Sequence, residues 1–440
     1  MRKPCRYVWA ALLLVFSVMA LPAQALTIER VTSQGGIEAW LVHNSTLPVI
    51  ALEFAILGGA DQDPADKPGV ANMTASLLDE GAGPFDAVTF QDRLERRAIE
   101  LQFQTGRDYL RGTLRTLTEH RDDAFDALRL ALTAPRFDVE AVERIRAQVL
   151  SQLRRESVTP HDIASRTWWA AAFPDHPYGR PVNGTLESVP RISAADLTSY
   201  LGRVLARDRL KIAIVGDIDA AAAGALLDRT FGALPARAQL QETASVLAQG
   251  LGRRIVVPLD VPQANVAFGS PGIARSDPDF MAAYIVNHIL GGGSFSSRLY
   301  REVREKRGLA YGVSDVLIWL RHSALLFGTT ATRADATGKS IEIIEQEIRR
   351  MAAEGPSDEE VEKAKTYLKG SFALSLDSSS HIASQLLQMQ IDELGMDYIE
   401  RRSALIDAVT LADTKRVAKR LLQSGLLVTV VGRPEGVTSN

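Results

Sequence analysis

The sequence predicts an α+β protein built as two similar halves joined by a linker. An internal repeat is the first observation behind this. Ile192-Ser193-Ala194-Ala195-Asp196 opens a helical pattern that leads into the apolar run from Leu210 to Gly216. Val409-Thr410-Leu411-Ala412-Asp413 opens a similar pattern that leads into the run from Leu426 to Gly432. The two glycines lie 216 residues apart, and Ser193 and Thr410 are suitable N-caps for the two helices. The helical stretch from Val139 to Glu156 likewise has a counterpart near Ser357 to Phe372. The second observation is the order of elements. Short strands are followed by runs of long amphipathic helices, which suits segregated layers better than a doubly wound parallel sheet.

Taken in order, the chain opens with Arg2, Lys3 and Arg6, then a mostly apolar run from Val8 to Leu21, then Ala23-Gln24-Ala25. A basic start, a 14-residue apolar run too short to span a bilayer comfortably and an A-x-A site read as a secretory signal peptide, residues 1–25. An uncleaved N-terminal anchor is the alternative. The expected location is a bacterial periplasm. The first half is expected over 26–234, with strands at Ile37–Val42, Val49–Leu57, Leu101–Thr105, Tyr109–Leu117 and Leu210–Val215. Residues 235–252, polar and carrying Pro235, Gly250 and Gly252, read as the linker. The second half is expected over 253–440, with strands at Arg254–Val257, Asn265–Gly269, Tyr311–Leu317 and Leu325–Thr330.

Composition removes several function classes. Cys5 is the only cysteine and lies in the signal, so the mature chain has no disulfide and no cysteine nucleophile or ligand. With 50 basic and 53 acidic residues and no basic stripe among aromatics, nucleic acid is not an expected partner. The histidines are His43, His120, His161, His176, His288, His322 and His381, and no two are three or four apart, so no helix face carries a histidine pair for zinc. Gly338-Lys339-Ser340 lacks the first glycine of a phosphate-binding loop, where Arg333 stands instead. Gly292-Gly293-Ser294-Phe295-Ser296 lacks the last glycine of a nucleophile elbow.

The richest stretch runs from Gly291 to Val313. Gly291, Gly292 and Gly293 let the backbone turn sharply or approach a ligand. A helix follows with Arg298, Arg301, Arg304 and Arg307 three residues apart, ended by Gly308, and Tyr311 opens the next strand. Arg304 and Tyr311 can converge on one spot, where a guanidinium and a phenol suit a peptide carbonyl or a developing oxyanion. The same spacing also fits a solvated basic face beside an ordinary strand tyrosine. Trp168 and Trp169, in an apolar helical stretch, read as core or interface anchors. The Pro- and Gly-rich loop from Pro174 to Pro190 reads as mobile or as lining an interface.

The stretch S-R-L-Y-R-E-V-R-E-K-R-G-L-A-Y resembles the second-half signature of M16-type zinc peptidases, the family of pitrilysin, insulin-degrading enzyme and mitochondrial processing peptidase. That resemblance implies two α/β-sandwich halves of the LuxS/MPP-like metallohydrolase type. It also implies that Arg304 and Tyr311 match the family's arginine and tyrosine, seven residues apart, which reach into the active site of the opposite half. In the first half, Pro68-Gly69-Val70-Ala71 is similar to the lead into the inverted zinc motif H-x-x-E-H, but the motif positions hold Asn72, Ala75 and Ser76. The position of the third ligand, 76 residues after Ser76, holds Gln152, in a register supported by Val142 to Leu150. His176-Pro177-Tyr178-Gly179-Arg180-Pro181 also resembles a family loop.

Catalytic zinc needs about three protein ligands and an open position for water, so the expectation is that this chain itself binds no metal or cofactor. The resemblance implies the zinc-less subunit of a heteromeric peptidase. A partner chain carrying H-x-x-E-H would hold the zinc, and an unfolded peptide would be the substrate, added as a strand to a sheet edge. The glycines Gly291 to Gly293 would help shape that surface, or form a plain turn. Two rivals remain: a non-enzymatic scaffold or peptide-binding member of the same family, and an unrelated hydrolase using serine or a displaced metal.

Overall fold

A computed structural model describes residues 26–440; the predicted signal, 1–25, lies outside the described residues. The first half carries a six-stranded sheet made of β1 (Glu29–Thr32), β2 (Glu38–His43), β3 (Val49–Leu57), β4 (Glu100–Thr105), β5 (Tyr109–Leu117) and β6 (Leu210–Gly216), in the order β1-β2-β6-β3-β5-β4. The second half carries β7 (Arg254–Val257), β8 (Gln263–Pro271), β9 (Ala310–Trp319), β10 (Ala324–Arg333) and β11 (Leu427–Val431), in the order β7-β11-β8-β10-β9. β2 pairs parallel to β6 and β7 pairs parallel to β11, and every other pairing is antiparallel. Apart from β1, which the sequence reading did not include, the second sheet therefore repeats the first strand for strand.

The repeat extends to local chemistry. Ser193 and Thr410 each close a capping box, with Asp196 and Asp413 reaching back to the cap backbone. Gly216 and Gly432 end the equivalent strands β6 and β11 with φ near +143° (144° and 142°), where a side chain is strained. A Cβ on Gly216 would also lie 2.1 Å from the Val49 carbonyl oxygen, so the chain leaves each sheet through a turn only glycine fits there.

β3 is buried or half-buried along its whole length instead of alternating, because both faces of its sheet are covered. One face packs on helices of its own half. The other is covered by the helix Ser379–Ile391 of the second half, which brings Ile382, Leu386 and Leu387 against Trp40, Ala51 and Val215. The exchange is reciprocal: the helix Pro160–Ala172 of the first half lies on β8 and β11. Trp168, fully buried, donates its indole N–H to the Leu427 carbonyl at 3.0 Å, and its ring meets Phe327 edge-on at 4.9 Å. Gln390 donates to the Ile212 carbonyl at 2.8 Å in the opposite direction. Trp168 and Trp169 are thus anchors between the halves.

Residues 235–252 contain no helix or strand but are held down across the seam. Gln241 N–H donates to Gln62 Oε1, Val246 N–H to the His322 carbonyl and Gln249 N–H to the Ala172 carbonyl. The loop read as mobile is fastened too. Tyr178 is fully buried, donates its hydroxyl to Asp108 and accepts the backbone N–H of His322. Among the described residues no helix is long and apolar enough to cross a membrane.

Candidate functional site

The glycine stretch runs from a π-helical turn, His288–Gly292, into a second one, Tyr300–Glu305. Gly291 is buried against β9, and a Cβ there would stand 2.6 Å from the Asp315 carboxyl carbon and 2.8 Å from the Asp315 backbone nitrogen. The loop therefore sits on the strand backbone to backbone, and only Gly292 of the three is exposed. Beneath it Asp315 accepts from Asn287 through one oxygen, while the other has no partner among the described residues. Burial pushes this carboxyl far above the ordinary carboxylate range.

The wide second turn separates the four arginines. Arg298 is buried and bonds Glu360 through two nitrogens at 2.8 and 2.6 Å, with Glu347 at 3.5 Å. Arg301 reaches Glu360 at 3.5 Å, and Arg307 holds Glu302 at 2.7 Å beside Lys306. Burial pushes the Glu360 carboxyl up, but the bonds from Arg298 and Ser357 outweigh it and bring it down to about 2. Glu302 behaves alike under Lys306 and Arg307. Arg304 alone of the four has no carboxylate partner among the described residues. Its guanidinium lies over two rings, Tyr300 at 4.9 Å and Tyr311 at 4.5 Å.

The sequence places these groups together by two local devices. Gly308, at φ +61°, donates its N–H to the Arg304 carbonyl and ends the turn, so the chain reverses into β9. In the β9–β10 pairing Val313 faces Thr330 but Ala310 faces Thr332, leaving Tyr311 and Gly312 opposite Ala331 alone. This bulge turns Tyr311 out of the ladder, and it is 82% exposed. β9 is the edge strand of its sheet. Phe295, 71% exposed, meets Tyr300 edge-on at 5.1 Å and extends the ring surface around Arg304. Sequence spacing gave no reason to single out Phe295 or Tyr300.

Of the four positions matched to zinc ligands and base, Asn72 and Ala75 lie on the short helix Val70–Ala75, Ser76 is its C-cap, and Gln152 lies on the long helix Val139–Val158 packed against it. The short helix starts at Gly69, at φ +100°, whose Cβ would lie 2.8 Å from Gly184 Cα. The buried carboxylate of Asp63 fixes this start by accepting the N–H groups of Gly69 at 2.7 Å and Ala71 at 2.8 Å. Asn72 and Ser76 are half-buried, and the Ser76 hydroxyl donates to the Asn72 carbonyl at 2.9 Å. Ala75 is buried, and its methyl side chain offers no donor or acceptor. Gln152 is exposed and donates its amide to Glu156 at 2.7 Å. A neutral amide, a methyl, a hydroxyl engaged with the backbone and a second neutral amide do not fit a zinc ion that needs anionic or imidazole ligands.

Family comparison finds both halves. Residues 39–186 match the model described as "Insulinase (Peptidase family M16)", and residues 191–368 match "Peptidase M16 inactive domain". A protein named non-peptidase homolog YmxG from Helicobacter pylori is 28% identical over 82% of this chain and 83% of its own length. An uncharacterized zinc protease from Mycobacterium tuberculosis is also 28% identical, over 94% of this chain and 95% of its own. The solved structure of a peptidase M16 inactive domain from Pseudomonas fluorescens superposes with a TM-score of 0.87 at 26% identity, covering 94% of this chain and 99% of that one. A protease structure from Helicobacter pylori shares the fold, with a TM-score of 0.84 at 19% identity over 92% and 99% of the two chains.

Proposed function

This chain belongs to the M16 peptidase family, and we propose that it serves there as the subunit without zinc ligands, working in the periplasm beside a partner chain that carries H-x-x-E-H. One observation carries the reading: Arg304 is the arginine of its turn left free of carboxylates, and it is stacked on an exposed tyrosine at a sheet edge, whereas the zinc positions hold Asn72, Ala75, Ser76 and Gln152. The zinc and its activated water would belong to the partner. This chain's contribution is to bind and polarise. The guanidinium of Arg304 offers planar N–H donors to the carbonyl of the bond to be cut. The ring of Tyr311 beneath it restricts its rotamers, and the Tyr311 hydroxyl is a second donor. Such donors strengthen as the carbonyl oxygen gains charge, and removing one typically costs about 10²–10³ in rate. An unfolded peptide would lie extended along a sheet edge, held by main-chain hydrogen bonds.

The test is to purify the tagged chain from the periplasm under native conditions, identify what co-elutes and assay chelator-sensitive peptide cleavage. An H-x-x-E-H chain in equal amount, with cleavage reduced about a hundredfold in Arg304→Ala and less in Tyr311→Phe, supports the shared site. A scaffold or peptide-binding role is the second reading, favoured by the Helicobacter relative's being named a non-peptidase homolog. A solitary chain that binds peptide equally well with and without Arg304 would establish that role instead.

A further inference from the structure

Three turns from both halves meet at the seam, away from the positions already described. Asp61 lies in the turn after β3, Asp108 in the β4–β5 hairpin and His322 in the β9–β10 hairpin. One ligand atom from each lies within 4.8 Å of the other two. Both carboxyl groups are buried, and His322 is half-buried. Neither aspartate forms an ion pair with a lysine or arginine among the described residues; the positive charges nearby are Arg107, which acts on Asp108 through space, and Arg180, which donates to the Asp61 backbone carbonyl at 3.3 Å.

The hydrogen bonds of the two aspartates leave room for a cation. Asp61 Oδ1 accepts Gly59 N–H at 3.0 Å, and its Oδ2 accepts Gln62 Nε2 at 2.8 Å and Thr243 Oγ1 at 3.2 Å. Asp108 Oδ1 accepts the Tyr178 hydroxyl, and Oδ2 accepts Arg321 N–H at 3.0 Å. A carboxylate oxygen has two lone pairs, so Asp61 Oδ1 and both Asp108 oxygens each retain one. Neither ring nitrogen of His322 makes a hydrogen bond among the described residues, although its backbone N–H and carbonyl are both engaged. The ring therefore has its position fixed and its lone pair unused. Asp108 and His322 also line a cavity of about 770 Å³ between the halves, which gives an ion a route in.

We propose that Asp61, Asp108 and His322 form a divalent metal site, suited to zinc, that ties the first half to the second. One imidazole nitrogen and two carboxylate oxygens make a donor set zinc accepts, with the fourth position open to the cavity and filled by water. The ion places a positive charge between the two carboxylates and crosslinks β4–β5 to β9–β10. The site is separate from Asn72, Ala75, Ser76 and Gln152, and it stands whether or not the peptidase reading holds.

The experiment uses the full mature chain, stripped with chelator and titrated with Zn²⁺, with Co²⁺ as a spectroscopic probe. The expected result is one equivalent bound, visible Co²⁺ d–d bands and a zinc-dependent rise in the unfolding midpoint. His322→Ala removes a half-buried ring that makes no hydrogen bond among the described residues but lies 6.2 Å from the Tyr178 ring, so its metal-free midpoint should fall only slightly below the parent chain's. Its zinc affinity should fall about tenfold or more. A combined Asn72→Ala and Ser76→Ala variant should bind as the parent does. Stoichiometry near zero, or equal binding by His322→Ala, overturns the proposal. Should His322→Ala fail to fold, the nuclear magnetic resonance signals of His322 in the parent chain decide: they shift on adding one equivalent of zinc if the site is real and stay put if it is not.

Discussion

Replacing Arg298, Arg301, Arg304 and Arg307 by alanine one at a time should divide them sharply, although they lie evenly spaced on one short stretch. Arg298 is buried, with a two-nitrogen bond to Glu360, a contact to Glu347 and a bond to the Gly355 carbonyl at 3.2 Å. Removing one partner of a buried pair costs about 3–5 kcal/mol, because the other charge is left unpaired. Here Glu360 keeps Ser357 and Glu347 keeps Arg350, so the lower end, about 3 kcal/mol, is expected. Arg301 is half out in solvent at 3.5 Å from a carboxylate already held by Arg298, and its loss should cost under about 0.5 kcal/mol. Arg307 is similarly exposed, and Glu302 retains Lys306, so about 1 kcal/mol or less is expected. Arg304 loses two ring contacts at a surface, together about 1 kcal/mol. Urea midpoints followed by tryptophan fluorescence, at constant slope, rank the four variants. An Arg304→Ala chain as destabilised as Arg298→Ala would mean Arg304 is held for packing, and the argument that its guanidinium is reserved for a ligand would fail.

Three further outcomes follow from the same geometry. Gly291→Ala should destabilise by about 1–3 kcal/mol, since its methyl meets the Asp315 backbone and carboxyl, whereas Gly292→Ala meets only Asn287 at 3.0 Å or more and should be milder; calorimetry of both variants checks the order. Trp168→Ala should cost about 3–5 kcal/mol and Trp168→Phe about half of that, and limited proteolysis should show faster cutting in 235–252, since the seam beneath that segment loosens; unchanged cutting in a destabilised Trp168→Ala would contradict the seam assignment. For pH, the bonds from Arg298 and Ser357 hold the Glu360 carboxyl at about 2 against 4.5. Its folded-state value is depressed, so that stability is present above pH 4.5 and is lost as the pH falls from 4.5 towards 2. The gap in urea midpoint between the parent chain and Glu360→Gln should therefore close over that window; a gap that widens on acidification would refute the sign.

What could be read from sequence was whatever local rules decide. The boundaries of β3, β5 and β7 match the expectation, and the capping residues Ser193 and Thr410 and the glycines Gly216 and Gly432 behave alike in both halves, because caps and positive φ are set by neighbours along the chain. The donor character of Asn72, Ala75, Ser76 and Gln152 was equally legible, since it lies in their side-chain type. Partners set by distant chain were not. The patterns of Pro160–Ala172 and Ser379–Ile391 show that one face of each helix is buried, but periodicity carries no information about which sheet does the burying, and both helices lie on the opposite half. Gly291 was legible as a close approach, but not as an approach to Asp315. A spacing of three leaves four arginines equivalent; they become different only because Glu347 and Glu360, brought in from two later helices, and Glu302 within the turn, stop short of Arg304. The functional reading of this stretch therefore depends on where the carboxylates are rather than on where the arginines are. That also says how the reading could be undone by design: a carboxylate placed within 4 Å of Arg304 should pair with it, leave the fold in place and remove the donor from the edge of β9.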